Sequence, residues 1–93
     1  MHIGVLTVEL AIGDAFCLKD KRRVLQGIRD RARRKFNVSV AEVDANETWN
    51  YSVLGVAVVA NEKKYANEVL SKVLREIEEG RGATVEHAEI EFL

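Results

Sequence analysis

The chain has 93 residues, enough for one domain spanning 1–93 and too few for a second core. Apolar residues make up 47% and charged residues 31%, a globular balance that argues against disorder, and the formal net charge is −1. The longest apolar stretch, Val53 to Ala60, falls far short of the roughly 20 residues that a membrane-spanning helix needs.

Met1 to Ile12 is a strand-length run containing Ile, Val and Thr, with no charge before Glu9. No Lys or Arg precedes Lys19, so the charged start of a signal peptide is missing and a cytoplasmic location is expected. The single cysteine, Cys17, allows no internal disulfide and fits a reducing compartment. From Leu18 to Phe36 the period becomes helical, with Val24, Leu25, Ile28, Ala32 and Phe36 on one face and Asn37 expected as its C-terminal cap. Val38 to Val43 is a second strand and Asp44 to Thr48 a polar loop. Tyr51 to Ala60, apolar on both faces, is a third and central strand.

Asn61 is the expected N-cap of a second helix, in which Ala66, Val69, Leu70, Val73, Leu74 and Ile77 form one stripe. Gly80 and Gly82 end it. Thr84 to Leu93 is a last strand, its strict alternation placing Glu86, Ala88, Ile90 and Phe92 on one face and Val85, His87, Glu89, Glu91 and Leu93 on the other.

The order strand, helix, strand, strand, helix, strand predicts an α+β, ferredoxin-like βαββαβ sandwich. Its antiparallel sheet has strands one and three in the middle and both helices on one face. The other face should be polar in a lone monomer. Yet strand three carries Val53, Ala57 and Val59 opposite Leu54, Val56 and Val58, and strand one carries Ile3 and Val5 opposite Leu6, Val8 and Leu10. One apolar set must therefore line the open face, which points to a homo-oligomer, a dimer through that face, with a ligand or RNA as the second reading.

Charge is unevenly placed. Lys19 to Lys35 holds nine of the fourteen basic residues and two acids, Asp20 and Asp30, inside a nearly neutral chain. Arg22, Arg29 and Arg33 fall within about 40° of one another on a helical wheel, expected opposite the apolar stripe or close to it. Arg23 and Arg34 flank them. Arg33, Arg34 and Lys35 suit a helix C-terminus, whereas Lys19, Lys21, Arg22 and Arg23 crowd the helix's positive end, where cations cost stability. An anionic partner accounts for that placement, because a helix N-terminus already attracts phosphate. The helix turns its apolar face to the core, so a membrane partner is not expected.

Signatures of catalysis are scarce. The chain has no P-loop, no GxGxxG and no Cys or His cluster at metal spacing, so no cofactor and no metal are expected. His2, His87 and Glu89 are a chance-level metal set. Glu42, Asp44 and Glu47 gather around one turn, but an acid/base pair also needs a cleft, and the expectation is a non-enzymatic protein. Trp49 reads as a rim or core anchor and a useful fluorophore. The RNA-recognition motif shares this element order and reads bases with aromatics on strands one and three. Here those strands, HIGVLTVEL and SVLGVAVVA, carry none, so RNA contact is expected through the basic helix to backbone phosphates.

Three segments taken together, LKDKRRVLQGIRDR, FNVSVAEVD and the stretch from Trp49 to Asn61, resemble the YlxP-like family of small bacterial proteins, domain of unknown function family 503. The resemblance covers nearly the whole chain and implies a ferredoxin-like fold. It also implies a connection to RNA or the ribosome, since genes of the family often sit near those for transcription elongation, translation initiation and ribosome maturation factors. The family's basic motif falls on Lys19, Lys21, Arg22 and Arg23, and its second motif on Asn37 to Asp44. Where the family often has Ser in a capping box, this chain has Cys17, a poorer cap.

The resulting expectation is an accessory protein that contacts structured RNA or the ribosome, with no DNA partner. Its anion-binding residues would be Lys19, Lys21, Arg22, Arg23, Arg29, Arg33 and Arg34. The alternative is a protein-interaction or small-ligand-sensing module that uses the apolar sheet face.

Overall fold

The computed structural model describes residues 1–93. Its elements are β1 (His2–Ala11), α1 (Leu18–Lys35), β2 (Ser39–Asp44), β3 (Tyr51–Ala60), α2 (Lys63–Glu79) and β4 (Thr84–Phe92). All strand pairings are antiparallel and the sheet order is β2-β3-β1-β4, with the two apolar strands in the middle. This is the ferredoxin-like sandwich that the element order predicts.

Alternation decides which side chains enter the core. Leu6, Val8 and Leu10 of β1 join Leu54, Val56 and Val58 of β3 beneath both helices, where all six are buried. Leu25, Ile28 and Ala32 of α1 and Ala66, Leu70, Val73 and Ile77 of α2 close that layer. Gly4 lets α2 approach β1: a Cβ there would stand 2.9 Å from Leu70 Cδ1. The opposite face carries Ile3, Val5, Val53, Ala57 and Val59, with Val59 64% and Val43 58% exposed.

Three local readings are corrected. β4 does not alternate strictly, because Glu9 pairs with His87 and Leu10 with Val85, leaving Glu86 as an extra residue in a bulge. The slip turns Val85 to the same side as Ala88, Ile90 and Phe92, all packed on the core. Asn37 is not a left-handed cap: α1 ends at Lys35, Phe36 is its extended C-cap, and Ala45 is the one non-glycine residue with positive φ. At α2 the N-cap is Glu62, one residue beyond Asn61.

Cys17 is the N-cap of α1, with extended backbone and no side-chain capping bond. Asp20, three residues on, accepts a 3.1 Å hydrogen bond from the Phe16 amide, so the returning half of a capping box survives, displaced by one residue. Cys17→Ser supplies the missing half. Its urea midpoint should rise by the equivalent of about 0.5–1 kcal/mol with an unchanged slope. An unmoved midpoint would show that a hydroxyl at residue 17 adds no cap.

Candidate functional site

The site is built around a lysine that the basic pattern misassigns. Lys21 is fully buried. Its ammonium donates to Glu42 Oε2 at 2.9 Å, to the Ala45 carbonyl at 2.8 Å and to the Tyr51 carbonyl at 3.2 Å, using all three of its protons. The buried Ser52 hydroxyl donates to the same Glu42 oxygen at 2.6 Å. Lys21 therefore presents nothing to a partner and leaves the anion-binding set. It instead ties the first turns of α1 to the chain between β2 and β3. The sequence held the signal, because continuing the stripe of Leu25, Ile28 and Ala32 back by four residues lands on Lys21.

The loop it holds is further ordered from within. Ala45 has φ 61°, a conformation unfavourable by about 1 kcal/mol for a residue with a Cβ. Asp44 Oδ1 accepts from the Ala45 amide at 2.8 Å, and the Ala45 carbonyl takes the Thr48 amide at 3.0 Å beside Lys21. The Ile12 amide donates to the Asn50 carbonyl at 2.9 Å, fastening the far end of the loop to the segment after β1.

With Lys21 inside, the remaining cations sort by helix face. Arg22 and Arg29 lie on the flank beside β2 and line a cleft of about 340 Å³ with Leu25, Ala41, Glu42, Asn46 and Leu54. Arg33, a turn further on, donates to the Val40 carbonyl of β2 at 3.0 Å. This trio is brought together as the wheel predicts, but at the edge of the apolar stripe and against β2, not opposite it. Arg29 Nε is buried without a hydrogen-bond partner in the chain. Lys19, Arg23 and Arg34 are exposed.

On the other flank Arg31 and Lys35 meet Glu76 and Glu79 across a polar cleft with α2, and Lys35 pairs with Glu76 at 3.0 Å. None of the three ion pairs in the molecule engages Lys19, Arg22, Arg23, Arg29, Arg33 or Arg34. Glu42 enters the β2-side cleft, but its Oε2 already accepts from Lys21 and Ser52.

The open sheet face has a polar end. The Tyr51 hydroxyl donates to Glu9, and that bond holds the phenol proton, raising its pKa above 10.0. Beside it His87 bonds Glu89 at 2.8 Å, a contact that favours the imidazolium and raises its pKa above 6.5. The register sets His2 opposite Ala60 and His87 opposite Glu9, so the two histidines stand at different ends of β1 and do not share a site. Trp49, 44% exposed, sits at the rim.

The geometry defines a small ferredoxin-like domain with one cationic flank. A family model described as "Protein of unknown function (DUF503)" matches residues 3–90, and the chain belongs to that family. The chain is 39% identical over 72 residues to the uncharacterized protein YlxP of Bacillus subtilis (strain 168), covering 77% of this chain and 78% of that one. Among solved structures it is similar to a de novo designed protein with a ferredoxin fold, at a TM-score of 0.60 and 13% identity, over 97% of this chain and 84% of that one. It is also similar to the designed protein Foldit4, at a TM-score of 0.57 and 16% identity, over 100% and 97% of the two chains. At such identities these two likenesses concern the fold alone.

Two measurements test this description. Lys21→Met leaves Glu42 without its cation and should destabilise the fold by about 3–5 kcal/mol in urea. Lys21→Met/Glu42→Gln should recover part of the loss, and a Lys21→Met protein as stable as the parent would remove the clamp. His87, followed by nuclear magnetic resonance, should titrate above 6.5, and Glu89→Gln should lower its midpoint. A raised folded value means that the pair's small contribution is complete below the unfolded pKa and is lost as pH rises through the folded one. A midpoint indifferent to Glu89→Gln would refute the pairing.

Proposed function

We propose that this protein is a non-enzymatic accessory factor that contacts structured RNA, ribosomal RNA included, through the β2-side flank of α1. The observation that carries this reading is the placement of Arg22 and Arg29 in one cleft beside β2 with Arg33 a turn further along the same flank, none of the three in an ion pair. Three guanidiniums spaced over three turns match a run of backbone phosphates better than they match one small anion. Lys19, Arg23 and Arg34 widen the same positive field on the outer face of the helix. Apart from Tyr51 at one end, whose hydroxyl is tied to Glu9, the open face of β1 and β3 carries no aromatic to read bases, which favours the helix as the contacting element.

Self-association through the open sheet face belongs to the same proposal. Val43 and Val59 are exposed beside Val53 and Ala57, and a second copy of this surface would withdraw that apolar area from water. Val59→Glu should convert such a pair to a monomer in sedimentation velocity, while a parent protein already monomeric at high concentration would dismiss it.

RNA contact is tested by titrating the protein into labelled structured ribosomal RNA at 50 and 200 mM salt. Three engaged phosphates give a slope of log K on log salt of about −2 to −3, which is a loss of about 15- to 60-fold between the two salts. Arg22→Glu/Arg29→Glu/Arg33→Glu should abolish the binding with its circular dichroism retained. Since Arg29 is half-buried, Arg22→Glu/Arg33→Glu serves as a gentler companion and should lose most of it. No binding at 50 mM by the folded parent protein would overturn the proposal.

A further inference from the structure

The β1–α1 and β2–β3 loops meet at one end of the sheet, and each contributes an aromatic residue there. Phe16 is 81% exposed and Trp49 44%. Single exposed aromatics are common on protein surfaces, but these two line one shallow concavity of about 370 Å³ with Ala11, Ile12 and Ala15. Neither loop is slack. The Ile12–Asn50 backbone bond joins them, Lys21 holds the carbonyls of Ala45 and Tyr51, and Asp20 holds the Phe16 amide. An aromatic shelf fixed before binding loses little entropy when it is occupied.

Its surroundings select the occupant. The shelf adjoins the start of α1, with Lys19 three residues beyond Phe16. The same β2–β3 loop that carries Trp49 contributes Asn46 to the Arg22–Arg29 cleft, and the Thr48–Ala45 turn keeps that loop short. A ligand reaching across the loop therefore meets an apolar, π-faced surface on one side and unpaired guanidiniums on the other. No basic residue lines the shelf, whereas Arg22 and Arg29 line the helix-side cleft, so phosphate is assigned to the helix side. A flat base attached to an anionic backbone has this division of chemistry, and an apolar peptide lacks its charged half.

We propose that the Phe16–Trp49 shelf stacks an unpaired base of an RNA whose phosphates lie along Arg22, Arg29 and Arg33. The inference rests on the RNA reading above and narrows it from structured RNA in general to RNA that offers a nucleotide outside a helix. It also separates this chain from sheet-surface base readers, because the stacking platform lies at the loop end of the sandwich.

Trp49 is the one tryptophan of the chain and reports directly. Full-length protein is titrated with an RNA hairpin bearing an unpaired loop and with a blunt, fully paired duplex of equal phosphate number, following both affinity and Trp49 emission. The hairpin should quench Trp49 and bind at least about fivefold more tightly, whereas the duplex should leave the emission unchanged. Phe16→Ala, at an exposed position, should keep its urea midpoint, lose most of the hairpin preference and leave duplex binding as it was. Equal affinity for the two RNAs, an unquenched Trp49, or a hairpin preference that survives Phe16→Ala overturns the shelf. If equal binding is still lost in Arg22→Glu/Arg33→Glu, only the shelf falls and the cationic flank stands. If neither RNA binds, both fall.

Discussion

A buried ammonium holds this small domain in its working shape. Removing a lysine from water costs several kcal/mol, and the cost is offset only where every proton finds an acceptor in good geometry. Glu42, Ala45 and Tyr51 meet that condition at Lys21. Each acceptor lies on or beside the β2–β3 connection, so the bond set determines where α1 begins relative to β2. Arg22, the next residue, then faces β2, and Arg29 follows two turns along the same flank. The clamp also fixes the carbonyl of Ala45 in a strained backbone conformation, giving Trp49 a defined position at the rim.

Positive charge is consequently less uniform than a count along α1 suggests. Lys35 is paired with Glu76 of α2, and Arg31 shares the same polar cleft with Glu76, Glu79 and Arg81. That Lys35–Glu76 pair is solvent-exposed on the lysine side, so it contributes little stability and mainly cancels field. Glu89 and Glu91 line the β4 side of the open sheet face, where Thr7 and Val5 oppose them. Lys19, Arg22, Arg23, Arg29, Arg33 and Arg34, all outside these ion pairs, thus group on the β2 flank and the outward face of one helix.

How much of this was legible in the sequence depends on range. Period-2 and period-3.6 patterns read locally, and the element order, the central strands and the two-sided apolarity of β3 all follow from them. The β4 bulge does not, since an alternating run looks regular until its register against β1 is known, and Glu86 has no mark that distinguishes it from its neighbours. The grouping of Arg22, Arg29 and Arg33 is a property of helix geometry and was visible. Which flank of the stripe they occupy depends on how α1 lies on the sheet, and no single helix encodes that. Residue type groups Lys21 with the surface cations, whereas its position in the stripe of Leu25, Ile28 and Ala32 places it inside. Phe16 carries no such mark, because its partner, Trp49, is more than thirty residues away and only the closed sandwich joins them.

The two edges of the sheet carry a consequence for assembly. β4 meets solvent with a bulge and the charges of Glu86, Glu89 and Glu91, while β2 is only six residues long, is bulged near Val43 and has its Val40 carbonyl taken by Arg33. Such edges resist the addition of another strand. These edges oppose the open-ended route by which sheets extend into fibres, so the self-association proposed above is left to the apolar face. A face pressed against its own equivalent is used up in a single contact, so growth by that route terminates at a closed pair.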